Sequence, residues 1–91
     1  MKVQVIIHNV LIAETDNPIM LEGNVYFPPQ DVRTEFLRPS SHHATCWWKG
    51  ETSYYHVAIG DKIDQNAAWY YPCPTKEALH IKDYIAFERG L

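Results

Sequence analysis

No apolar run in this sequence approaches the roughly 20 residues that a helix needs to cross a bilayer. The opening MKVQVIIHNVLIAETD is broken by His8 and Asn9 and carries no small-residue cleavage site, so neither a membrane span nor a secretory leader is expected. Positive charge is scarce as well: eight Lys and Arg stand against eleven Asp and Glu, the net charge is −3, and no run of one sign occurs. That balance lacks the electrostatic footprint of a nucleic-acid partner and disfavours an anionic membrane surface. Two cysteines, Cys46 and Cys73, are too few for the disulfide framework of a small secreted domain. Free, buried thiols in a cytoplasmic protein are the expectation.

What the chain does have is apolar and aromatic mass. Its 91 residues are 46% hydrophobic and 13% aromatic, which provides large side chains for one small core and excludes a disordered chain. A single domain over residues 1–91 follows.

Val3, Val5 and Ile7 alternate with Lys2, Gln4 and Ile6, and the turn-prone His8-Asn9 separates them from Val10, Leu11, Ile12 and Ala13, which predicts a β-hairpin. IMLEGNVYFP reads as a second hairpin turning at Gly23-Asn24 and ended by Pro28 and Pro29. In PQDVRTEFLRPS, Asp31 is a good helix cap, Val32, Phe36 and Leu37 fall at helical spacing, and Pro39 stops the run. One or two helical turns are predicted there. ATCWWKGETSYYHVAIG and NAAWYYP are rich in β-branched and aromatic residues and supply the central strands, with polar DKIDQ as their connection. Thr75 then caps a short helix before a last strand at YIAFE. The class is mainly β, with about seven or eight short strands.

Chemistry-bearing residues concentrate in HHATCWWKG, residues 42–50. Zinc usually takes its Cys or His ligands in close pairs such as C-x2-C, and neither Cys46 nor Cys73 has such a partner, so no metal site is expected among His42, His43, His56 and the two cysteines. A nucleophilic Cys46 needs an exposed sulfur and a lowered thiol pKa. Strand alternation instead places Thr45, Trp47 and Lys49 on one side and Cys46, Trp48 and Gly50 on the other, away from the lysine. Among the acids, Asp31 and Glu22 abut aromatic segments where desolvation shifts a pKa, whereas Asp61 and Asp64 fall in the polar connection. Each has an ordinary structural role to weigh: a helix cap for Asp31, a solvated loop for Asp61 and Asp64.

TCWWKGETSYY and AAWYYPCP, with VYFPPQDVR upstream and YIAFE at the end, resemble the small bacterial domain family DUF427 across almost the whole chain. Two positions depart from the family pattern: Trp47 stands where a proline is usual, and Ala44 stands at the first position of T-x-C. The resemblance implies an Mss4-like β-tent of two antiparallel sheets. It carries over neither the zinc knuckle of many Mss4-like proteins, whose paired C-x2-C motifs are missing here, nor reductase chemistry. A nucleotidyltransferase label attached to the family finds no Gly-rich phosphate loop or close Asp pair in this chain. The family positions Trp48, Lys49, Tyr54, Tyr55, Trp69 and Tyr71 are rings with one cation, and Asp31 adds an acceptor. That set suits a cleft binding a small molecule or peptide without a cofactor, although any one of these rings taken singly suits a plain core better, since aromatics dominate small cores. The alternative is an enzyme of unknown reaction using Asp31, Lys49 and Cys46. Self-association through edge strands and exposed tyrosines, giving a homo-oligomer, is a third reading.

Overall fold

The computed structural model describes residues 2–89, and within them the chain forms eight strands and three short 3₁₀ turns. Strand β1 (Val3–Ile7) pairs antiparallel with β2 (Val10–Thr15) through a two-residue turn in which His8 and Asn9 both take positive φ. β3 (Ile19–Leu21) pairs with β4 (Asn24–Tyr26) through Glu22 and Gly23. The positive-φ pair thus sits one residue earlier than the expected Gly23-Asn24. Two 3₁₀ turns, Pro29–Asp31 and Thr34–Phe36, follow. Asp31 closes the first of them rather than capping it, because Pro29, with no N–H and φ already preset, opens the turn.

β5 (Leu37–Cys46), β6 (Gly50–Ile59), β7 (Lys62–Tyr70) and β8 (Ala86–Phe87) form one antiparallel sheet in that order. β5 starts earlier than the composition suggested and takes Pro39 into the sheet, which an outer strand tolerates because one side of its ladder is unpaired. DKIDQ is not a connection: only Gly60 and Asp61 turn, and Lys62 onward is strand. Thr75 does precede the third 3₁₀ turn, Lys76–Ile81.

The two expected sheets are therefore three, of two, two and four strands. Asp16, Asn17 and Pro18 interrupt the chain between the first two hairpins, and Pro28 and Pro29 end β4 with residues that give the ladder no N–H donor. Each hairpin then meets other segments through single bridges, Ala13 with Val32 and Phe27 with Ile85. Both ladders of β6 are interrupted at mid-strand. Residues 40–42 of β5 bulge opposite Tyr54, and residues 65–67 of β7 bulge opposite His56, whose Nδ1 accepts the Asn66 N–H at 3.1 Å and fills the gap.

Alternation across the four-stranded sheet divides the interior in two. Ala68, Tyr70 and Phe87 pack with Ile7, Ile12, Phe27 and Val57 on one face. Trp69, Tyr71 and Ala86 pack with Tyr26, Ala78 and Ile81 on the other. The second cluster is smaller, and it carries Cys46, Trp48, Trp69 and Tyr71 of the residues that the sequence marked for function.

Gly50 limits how the β5–β6 turn closes. It has a φ of +110°, and a Cβ there would lie 3.2 Å from the Cys73 carbonyl oxygen. Gly60, at +61°, has open space around it. Gly50→Ala should lower stability by about 1–3 kcal/mol and by more than Gly60→Ala. Chemical denaturation of the two variants checks this; an equal loss would show that the close approach to Cys73 is immaterial.

Candidate functional site

Trp47, Trp48 and Lys49 make the turn between β5 and β6, where Cys46 pairs across with Gly50. A strand alternates its side chains but a turn does not, so the expected sorting of these residues onto two faces fails. Trp47 points to solvent at 91% exposure, whereas Lys49, two residues on, is only 6% exposed. The segment after β7 clamps the turn from outside: the Thr75 N–H donates to the Lys49 carbonyl at 2.9 Å, and the Thr75 hydroxyl donates to the carbonyl of Trp48. Thr75 thus spends its side chain on the turn and not on capping its own helix.

Clamped in this way, Lys49 reaches into the second core cluster. Its ammonium forms an ion pair with the carboxylate of Glu22, 5.3 Å from the ring centre of Trp48 and 5.4 Å from that of Tyr71. Glu22 arrives from the β3–β4 turn in left-handed backbone conformation, and its second oxygen accepts the Trp48 indole N–H at 3.2 Å. Burial on its own disfavours the charged lysine, but the hydrogen bond to Glu22 and the nearby acidic hydroxyls of Tyr71 and Tyr26 outweigh it and hold the Lys49 pKa above its ordinary value. The same hydrogen bond holds the carboxyl of Glu22 below its ordinary range.

Beside the ammonium a cleft of about 240 Å³ opens to solvent, lined by Asn24, Tyr26, Lys49, Thr52, Tyr54, Trp69, Tyr71 and Glu88. Tyr54 and Trp69 are register partners on β6 and β7 and stand side by side on one face. The Trp69 indole N–H donates to the Tyr26 hydroxyl at 3.3 Å. Burial raises the pKa of Tyr26 and of Tyr54, so both are neutral hydroxyls at ordinary pH. His42, from the β5 bulge, leans on the Tyr54 ring with centroids 4.6 Å apart. The cleft therefore offers a charge-compensated cation, the hydroxyls of Tyr26, Thr52, Tyr54 and Tyr71, and the half-buried rings of Tyr54 and Trp69, with Asn24 and Glu88 also in its lining.

Of the residues singled out in the sequence, Lys49, Tyr54, Trp69 and Tyr71 line this cleft. Trp48 and Cys46 pack in the same cluster without lining it, Cys46 as a half-buried free thiol and Cys73 as an exposed one. Tyr55 belongs to the other face, where it stacks on Tyr70 at 4.7 Å and burial pushes its hydroxyl up to about 12. Asp31 is elsewhere too: its carboxylate accepts the Thr15 hydroxyl at 2.7 Å and lines a separate hollow of about 260 Å³ with Gln30 and Arg33. Among the described residues no three His, Cys, Asp or Glu side chains are grouped to hold a metal ion.

The family model for a domain of unknown function, DUF427, matches residues 1–90. The chain belongs to the DUF427 family. No curated protein matches it. In this DUF427 chain the sequence reading missed Tyr26, Thr52, Asn24 and Glu88 as cleft residues. Tyr26 was legible as the inward position of β4, but Glu88 follows the last strand with no local signal at all.

The Lys49–Glu22 pair makes stability depend on pH at both ends. Glu22 is depressed in the folded state, so its contribution is present above its ordinary value of 4.5 and is lost as pH falls through the lower folded value. Glu22→Gln should therefore destabilise the protein at neutral pH, and the gap between variant and parent should close at acid pH. Urea denaturation across that range measures the gap; a constant difference at every pH would mean that the carboxylate charge contributes nothing.

Proposed function

We propose that this DUF427 chain, as a single domain, is a binding module for a small molecule or peptide, with Lys49, Tyr54, Trp69 and Tyr71 as the contact residues and Trp48 as a support behind the lysine. The observation that carries this reading is a lysine at 6% exposure that lines an open cleft rather than being sealed in the core. A planar group stacks on Trp69 and Tyr54, while an acceptor or anionic group on the same ligand faces Lys49 and the hydroxyls of Tyr26 and Thr52. Glu22 keeps the ammonium charged and aimed in the absence of ligand, which lowers the ordering cost of binding.

Acid–base catalysis fits the cleft less well. A general acid or base works best when its pKa lies near the working pH, whereas each shift resolved around the cleft runs away from neutrality: down for Glu22, up for Lys49, Tyr26 and Tyr54. Asp31 lines a hollow that shares no residue with the cleft.

A thermal-shift screen of anionic and heteroaromatic compounds is the first test, since a ligand at about 100 times its Kd adds about 2.7 kcal/mol of stability. Lys49→Met keeps the apolar stem, so it should retain the fold and lose the response to anionic hits. With Trp47→Phe and Trp48→Phe in place, Trp69 is the one remaining indole, and acrylamide should quench it in part, less so when a hit is bound. Complete protection with and without the compound would return Trp69 to the core and remove the binding reading.

A further inference from the structure

Apart from the aromatic cleft the molecule carries a furrow of about 440 Å³, which shares only Asn24 and Glu88 with that cleft. One wall is β1, and all five of its residues from Val3 to Ile7 line the groove. Successive side chains of a strand point to opposite faces, so a groove touched by consecutive residues runs along the strand's main-chain edge. Residues 23–25 border it as well, again consecutively, and the buried rings of Phe27 and Phe87, 5.9 Å apart, add apolar surface.

Among the described residues β1 pairs with β2 alone, and no other main-chain hydrogen bond reaches it. Its outer N–H and C=O groups form a template about 17 Å long, from five residues at about 3.4 Å each. The other long free edge, β5, differs: it carries Pro39, a bulge at residues 40–42 and exposed Arg38, His42 and His43, devices that block pairing. β1 has no proline, and the extra residue of its ladder, Ile12, is on β2. At one end of the furrow Arg89 donates to the Gly23 carbonyl and has no carboxylate partner among the described residues, so it offers a charge to an acidic group.

We propose that this furrow accepts an extended peptide segment of another protein, added as a strand on the outer edge of β1, with alternate apolar side chains over Phe27 and Phe87 and an acidic residue at Arg89. Main-chain hydrogen bonds supply the register, and the apolar surface selects the alternate side chains. The inference does not rest on the aromatic cleft and stands or falls without it.

The probe is a phage-displayed library of random heptapeptides, selected on the full chain and followed by amide hydrogen exchange with one synthetic hit. The hit should slow exchange at outward-facing amides of Val3–Ile7. N-methylation of the peptide at one alternate set of residues should weaken binding at least about tenfold, and at the other set should leave it unchanged. Arg89→Ala should weaken binding up to about fivefold, the range of an exposed ion pair. Equal tolerance of both methylation patterns, or slowed exchange outside β1, overturns the proposal. Protection of β1 that rises with protein concentration and needs no peptide also overturns it, because the occupant is then a second copy of the chain.

Discussion

The ammonium of Lys49 is the group around which one half of this molecule is arranged. A lysine at 6% exposure has lost most of its hydration, and an unpaired charge in that position would discharge or unfold its surroundings. Glu22 meets the need from a different hairpin, using one oxygen for the ammonium and the other for the Trp48 indole. Both partners lie in turns and not in strands, and each turn takes a backbone conformation costly for ordinary residues: φ is +54° at Glu22 and +110° at Gly50. The strain is local. It is held by Thr75 on the outside of one turn and by the short β3–β4 ladder beneath the other.

That arrangement gives the two faces of the four-stranded sheet different characters. On one side the first hairpin closes over Val57, Ala68 and Phe87 in apolar packing that includes the Phe27–Phe87 and Tyr55–Tyr70 ring pairs. On the other, Tyr26, Tyr71 and the residues of the third 3₁₀ turn fill only part of the space, and Tyr54 and Trp69 remain half-exposed at the edge. Three tyrosines and a tryptophan thus surround a compensated cation, the arrangement from which the binding role is proposed.

Local signals in the sequence were good guides to structure wherever a few neighbouring residues decide it. His8-Asn9 marked the first turn, the aromatic and β-branched runs marked β6 and β7, and Thr75 marked the third 3₁₀ turn. Alternation failed at residues 47–49, because nothing local says that a three-residue turn interrupts TCWWKG; the Gly50 φ shows it only in the fold. Polarity misled at DKIDQ, where all but Asp61 belong to an exposed strand instead of a loop. Counting strands also could not show how they divide into sheets, since the separation rests on prolines and single bridges. For the cleft, the aromatic members were legible as a composition, but their pairing was not. Glu22 lies 27 residues from Lys49, and Tyr26, which accepts the Trp69 indole N–H, lies 43 residues from it. Asp31 looked equally suitable in the sequence and is tied instead to Thr15.

The most direct measurement of the central claim is an NMR titration of the Lys49 ammonium, followed through its Nζ resonance in the parent protein and in Glu22→Gln. Raised by Glu22 and the surrounding hydroxyls, the group should stay protonated above its ordinary value of 10.5, and the variant should lower the midpoint. A midpoint below 10.5 in the parent, or one that Glu22→Gln leaves unmoved, would mean that burial dominates and that the pair does not hold the site together.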